Sequence, residues 1–204
     1  MTDTMASINA KDVAELRRRT GAGMMDCKKA LAENGGDFEK ATEWLRAHGT
    51  ARADKRADRT AKQGLVESYV HHSGKIAVLL ELNCETDFVA RTEEFRQLAR
   101  EVAMHVAATA PLAVSVDQLP ADVVERERRI YTEQVAQEGK PEAIRAKIVD
   151  GKLKKFYAEA VLLEQPFVKD DSRTVGDVVK ALSGKTGENI VVRRFVRYQL
   201  GEDV

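Results

Sequence analysis

The chain has 204 residues, 43% of them hydrophobic and 32% charged, which suffices for one ordinary domain with a sizeable core and a small companion. Lys plus Arg and Asp plus Glu number 33 each, which excludes an overall positive field able to hold phosphate backbones or anionic lipid without a local patch. Cys27 and Cys84 form no CxxC pair and no apolar run approaches the roughly 18 residues of a membrane span, arguing against a zinc site, a secreted disulfide framework and an embedded chain.

The start, MTDTMASINAKD, lacks a charged segment followed by an apolar one, so a reducing cytoplasm is the expected compartment. From Asn9 to about Gly49 the pattern predicts three short helices. Asn9 caps the first, with Asp12 three positions on and Val13 and Leu16 on one face; Thr20-Gly21-Ala22-Gly23 breaks it. Met24 and Met25 open the second, which stops at Asn34-Gly35-Gly36. Asp37 caps the third, whose Phe38, Ala41, Thr42 and Leu45 share a face. So small a core must lean on a partner or on the rest of the chain. Residues 51–63 follow as a charged linker, with Arg52, Lys55, Arg56, Arg59 and Lys62 interleaved with Asp54 and Asp58.

From Gly64 the period changes to two. Val66, Ser68 and Val70 alternate with Glu67, Tyr69 and His71, Ser73-Gly74 turns the chain, and Ile76, Val78, Leu80 and Leu82 form one face of the return strand. After Thr86-Asp87-Phe88-Val89, Thr92 is placed to cap a helix with Glu93 and Glu94 in its first turn and a stripe of Phe95, Leu98, Ala99, Val102 and Val106. Residues 121–163 read as helix in three pieces, punctuated by Gly139-Pro141 and by Asp150-Gly151. Thr174 caps a short helix to Leu182, and NIVVRRFVRYQLG closes as a strand with Ile190, Val192, Val196 and Tyr198 on one face and Val191 and Phe195 on the other. The expected class is α+β: a small three-helix domain over 1–50, the linker, and over 64–204 an antiparallel sheet covered by helices on one face.

The chain offers no catalytic constellation. SGKTG, Ser183 to Gly187, resembles the tail of a P-loop, but the glycine required five positions before Gly184 is Val179, and a helix precedes it where a strand should. His48, His71, His72 and His105 lack companions at metal-ligand spacing. No cofactor and no metal are expected, and no enzyme. Phe88 remains unexplained by these patterns: a large apolar ring in a connection either packs under the helix beginning near Thr92 or stands out to meet a partner.

Three stretches in order along almost the whole chain, VAELRRRTGAGMMDCKKALAE, NCETDFVARTEEF and KLKKFYAEAVLLEQPFVKDDSRTVGDVV, resemble the elongation factor Ts family, nucleotide exchange factors of bacterial translation. The resemblance implies binding to elongation factor Tu in its GDP and nucleotide-free forms and ejection of GDP. Thr86, Asp87, Phe88 and Val89 match the family segment that displaces the Mg²⁺ of that partner, which favours Phe88 as a wedge. The N-terminal bundle resembles a ubiquitin-associated domain, and Arg17, Met24 and Met25 match family contact positions. Two adjacent methionines cannot both face one small core, so at least one is expected to be exposed. The length resembles the short form of the family, which implies a homodimer. A protein-binding adapter using only the bundle, and an RNA- or ribosome-associated protein using Arg52 to Lys62 with Arg193, Arg194 and Arg197, are the alternative readings; neither membrane nor direct nucleic-acid contact is expected under the family reading.

Overall fold

Short polar caps set the first helices where the sequence expects them. A computed structural model describes residues 8–139 and 141–202, apart from the side chains of residues 50–52, and opens with α1 (Ala10–Thr20), α2 (Met24–Glu33) and α3 (Phe38–Asp54). Asn9 accepts the Asp12 N–H at 2.8 Å, and Asp37 accepts those of Glu39 and Lys40 at 3.0 and 3.1 Å, satisfying donors that a helix start leaves unpaired. Gly21 ends α1 in the left-handed region, φ 69°, where a side chain would strain the backbone. Val13, Leu16, Cys27, Ala30, Leu31 and Ala41 form the buried cluster, with Phe38, Trp44 and Leu45 packed against it.

The chain divides into two compact units. One joins the described residues up to Gly64 with Cys84–Thr92 and Val179–Val191; the other holds Leu65–Asn83, Glu93–Val178 and the residues from Val192 on.

In the first unit, the stretch that reads as a solvated linker is largely fastened. α3 runs on to Asp54, where Ala53 is buried and Asp54 pairs with Lys180 at 2.8 Å. Asn189 Nδ2 donates to the carbonyls of Ala57 at 3.1 Å and Arg59 at 2.8 Å. These acceptors belong to the backbone, which no charge pattern reveals. The Arg52 side chain lies outside the described residues.

The second unit is the α+β body. β1 (Gln63–Val70), β2 (Ile76–Cys84) and β5 (Val191–Gln199) form a sheet in the order β1-β2-β5. The Ser73-Gly74 turn is where it is expected, with His71 N–H donating to Ile76 O at 2.9 Å. Glu81 meets Arg194 and Lys75 O meets Leu200 N–H, so β5 runs antiparallel to β2. Val78, Leu80 and Leu82 are buried on the inner face, as alternation predicts. α5 (Glu93–Thr109) carries the buried stripe Phe95, Leu98, Ala99, Val102 and Val106, and Arg197 of β5 donates to Ala107 O in its last turns at 3.3 Å.

Several elements differ from the sequence expectation. Val66 and Val70 face outward, leaving Leu65, Glu67 and Tyr69 as the half-buried set of β1. In β5 the burial phase changes after Val192: Val196 and Tyr198 are exposed, while Phe195 and Arg197 are half-buried. The second and third of the three helical pieces expected over 121–163 are one helix. α6 (Ala121–Gln137) is followed by α7 (Glu142–Ala160), which passes through Asp150-Gly151 without a break because Val149 and Leu153 are buried with Val135, outweighing the cost of about 1 kcal/mol for an interior glycine. β3 (Pro166–Phe167) and β4 (Asp170–Thr174) form an antiparallel hairpin too short and too polar to show in alternation. α8 (Val175–Thr186) starts with a reciprocal cap between Thr174 and Asp177 and extends four residues past Leu182, absorbing most of SGKTG into its last turn. Among the described residues no helix is long and apolar enough to cross a membrane.

Candidate functional site

β2 ends at Cys84, and the chain then makes a single helical turn, α4 (Asp87–Ala90). Thr86 caps it: its Oγ1 accepts the Val89 N–H at 3.4 Å. Ala90 is buried, which turns the opposite side of this turn outward. Phe88 lies there with 80% of its surface exposed, so it does not pack beneath the following helix. Asp87, half exposed, pairs with Arg91 at 2.8 Å.

What supports this turn comes from residues about a hundred positions later. Gly187, φ 78°, lets the chain leave α8 in a left-handed conformation that directs Glu188 back toward the start of the turn. The Glu188 carboxylate accepts the Glu85 N–H at 3.1 Å and the Thr86 N–H at 3.0 Å on one oxygen, and the Thr86 hydroxyl at 2.5 Å on the other. Glu85 in turn accepts the Asn189 N–H at 2.7 Å and pairs with Arg59 at 3.5 Å. Behind the turn, the Cys84 thiol donates to Thr86 O; burial, reinforced by the Glu188 charge, pushes this thiol up to about 11.

The second group of expected residues flanks the α1–α2 turn. Arg17 is exposed, and so are both methionines, Met24 at 54% and Met25 at 75%. One small core requires only one of the two to be outside. The segment SGKTG touches this turn too. A Cβ built on Gly21 would stand 2.2 Å from Lys185 Cε, so Lys185 lies directly over the turn. α8 and its exit loop therefore contact both candidate segments: Lys185 at Gly21 and Glu188 at Thr86. All seven expected residues belong to the first unit.

Sequence reasoning missed Glu188 and Asn189. An acid and an amide directly after a glycine that ends a helix are the only local hint, because their partners lie more than a hundred residues away. Among the described residues, no three or more His, Cys, Asp or Glu side chains gather as a metal site would.

The family model described as elongation factor TS matches residues 10–202. The chain belongs to the elongation factor Ts family. The elongation factor Ts of Fervidobacterium nodosum is 57% identical over 195 residues, covering 96% of this chain and 99% of that one. Those of Desulforamulus reducens and Solidesulfovibrio magneticus are 56% and 53% identical, over 97% and 98% of this chain and 91% and 100% of theirs. Elongation factor Ts proteins of nearly this length thus match it end to end, as the resemblance to the short form implies. Membership supports a role in translation elongation.

Proposed function

We propose that this chain is a guanine nucleotide exchange factor for elongation factor Tu. The observation that carries this reading is the exposed Phe88 ring on a one-turn helix whose backbone is fastened by Thr86 and Glu188. A ring so exposed contributes little to its own fold, whereas a rigidly presented aromatic is well suited to wedge into a partner. Beside it, Asp87 competes for the groups that hold a hard cation through oxygen and water, which loosens the Mg²⁺ that ties GDP to the partner. Asp87 is already ion-paired with Arg91 at the surface, so its carboxylate can trade one cationic contact for another at low cost.

Met24, Met25 and Arg17 supply a second contact on the GTPase, with soft side chains that adapt to its surface. The factor makes and breaks no covalent bond and acts in the cytoplasm, without membrane or direct nucleic-acid contact. By linkage, it binds the nucleotide-free partner most tightly, and either GDP or GTP weakens the complex by the factor that it weakens theirs.

The chain is further proposed to pair with a second copy. Val66, Val70, Leu79, Val196 and Tyr198 are exposed on the outer face of a sheet that has three strands among the described residues, an apolar surface suited to the same surface of another copy. Sedimentation equilibrium of the intact chain against Leu79→Glu reads this directly: a dimer that dissociates in the variant supports it, and a monomeric intact chain overturns it.

The exchange reading is tested by stopped-flow release of a fluorescent GDP analogue from elongation factor Tu. The intact chain is expected to speed release by orders of magnitude, and Phe88→Ala to lose at least about tenfold of that while still binding. Unchanged release with the intact chain sinks the reading.

A further inference from the structure

We infer that Glu188 is a positioning residue for exchange, setting the one-turn helix that presents Asp87 and Phe88; this rests on the exchange reading above. Thr86 is the cap of that turn, and a hydroxyl caps only when its hydrogen points elsewhere. Here the Thr86 hydroxyl donates to Glu188 Oε1, which leaves an oxygen lone pair for the Val89 N–H. Glu188 Oε2 meanwhile takes the N–H groups of Glu85 and Thr86, the two residues that lead into the turn. One carboxylate thus sets both the backbone entering α4 and the rotor of its cap. Charge-assisted acceptance makes these contacts stronger than neutral ones, and a four-residue helix is too short to hold itself by its own backbone bonds.

Glu188 is itself held from behind. Ser183, 3% exposed, donates its hydroxyl to Glu188 O at 2.5 Å, and Asn189, 6% exposed, is anchored to the carbonyls of Ala57 and Arg59. The carboxylate therefore reaches Thr86 from a fixed base, so removing it frees the turn and leaves its base in place. A wedge acts through its placement, and a misplacement of about 1 Å suffices to cost a large part of an effect that depends on fit.

The test uses the full chain as Glu188→Ala, Glu188→Gln and the double variant Glu188→Ala/Phe88→Ala. GDP release from elongation factor Tu is followed over a range of factor concentrations, giving a limiting rate and a half-saturation point. Glu188→Ala is expected to lower the limiting rate roughly tenfold with little change in half-saturation, since the Arg17, Met24 and Met25 surface is untouched. Gln keeps an acceptor for the two amides but presents an N–H in place of the acceptor for the Thr86 hydroxyl, so it recovers only part of the rate. In the Phe88→Ala background the Glu188 change costs less than about threefold, because only Asp87 is then left to position. Hydrogen exchange of the chain alone adds a readout free of activity: the Glu85 and Thr86 amides exchange faster in Glu188→Ala.

An unchanged limiting rate in Glu188→Ala, a Gln variant no better than Ala, or full multiplication of the two losses in the double variant overturns the inference. If Glu188→Ala does not fold, Glu188→Gln decides the question: loss of the acceptor for the Thr86 hydroxyl is expected to lower the limiting rate and speed exchange of the Val89 amide, and a rate and amide exchange equal to those of the intact chain overturn the inference. If the intact chain fails to speed release, the exchange reading falls, while the amide exchange still reports whether Glu188 holds the turn.

Discussion

Gly184 of α8 lies against the backbone of Gly49 in α3, so closely that a Cβ built on Gly184 would stand 3.1 Å from both the Gly49 Cα and its carbonyl oxygen. The glycine of SGKTG thus serves helix-to-helix approach and not phosphate binding. Gly184→Leu is expected to lower stability by about 2 kcal/mol, since rigid backbone has no rotamer with which to give way. Gly184→Ala is expected to change stability by less than about 1 kcal/mol, its gain in helix propensity offset by the tight contact. Urea unfolding of both variants measures this, and an undiminished midpoint for Leu contradicts the contact.

Phe88→Ala separates folding from function. With the ring 80% exposed, its removal is expected to change stability by no more than about 0.5 kcal/mol, whereas Phe95→Ala, fully buried in α5, is expected to cost about 3–5 kcal/mol. Thermal melts of the two variants side by side provide the check, and a large loss for Phe88→Ala means that the ring packs on its own fold after all.

His105 makes stability depend on pH in a direction that can be worked out. Its Nδ1 accepts the Val168 N–H at 3.2 Å, so its proton sits on Nε2 and is donated to Gln165 Oε1 at 2.9 Å, an oxygen that Thr109 also reaches. Burial holds its pKa below the ordinary 6.5, the Gln165 contact opposing this only in part. The folded chain therefore binds fewer protons at this site than the unfolded chain, and the stability this contributes is lost as pH falls below about 6.5, by at most about 1.4 kcal/mol per pH unit. Urea unfolding between pH 7.5 and 5.5 is expected to show this loss, and His105→Gln, though less stable at neutral pH, is expected to show a shallower slope.

Both thiols are expected to resist alkylation. Cys27 and Cys84 are buried, burial raises both pKa values, and at about 11 the Cys84 thiolate amounts to about one part in a thousand at pH 8. Native protein treated with a maleimide at that pH should label slowly, and both sites should react at once in denaturant. Rapid native labelling of Cys84 would show that the region behind α4 opens readily.

Ala110 follows α5 at φ 47°, the left-handed region that a side chain disfavours, and donates its N–H to Val106 O at 3.0 Å as a helix-ending residue does. Ala110→Gly relieves this strain, only partly offset by the greater freedom of glycine in the unfolded chain. A gain of about 0.5 kcal/mol is expected, raising Tm by about 1–2 °C. A calorimetric scan that shows a loss instead would mean that the Ala110 methyl packs usefully.

How much of this was legible depends on the range of each interaction. Asn9 and Asp37 act within three residues and were readable as caps; the inner face of β2 and the stripe on α5 follow from spacing within one element. The continuity of α7 through Gly151 was not readable, because burial of Val149 and Leu153 by tertiary packing overrides local propensity. Nor was the change of phase in β5, since Arg197 is half-buried while donating to Ala107 O and pairing with Glu202, against its usual preference for water. At the candidate site, Thr86 to Val89 were singled out by family resemblance, and whether Phe88 packs or stands out was an open alternative, on which the fold leaves the ring exposed. Glu188 was not legible, since an acid that accepts backbone donors 102 and 103 positions away leaves no trace in spacing.

The first unit is stitched from three separated stretches of chain, the last ending at Val191. During synthesis the Ala57 to Arg59 stretch and the Thr86 turn emerge first, and the residues that fasten them follow 102 to 132 positions later. Until Glu188 and Asn189 leave the ribosome, the Ala57 and Arg59 carbonyls and the Glu85 and Thr86 amides lack these partners. A nascent chain of this protein is thus expected to hold the Thr86 turn loosely until those residues emerge and to stiffen it afterwards, with contacts of such long sequence separation making that closure slow relative to helix formation.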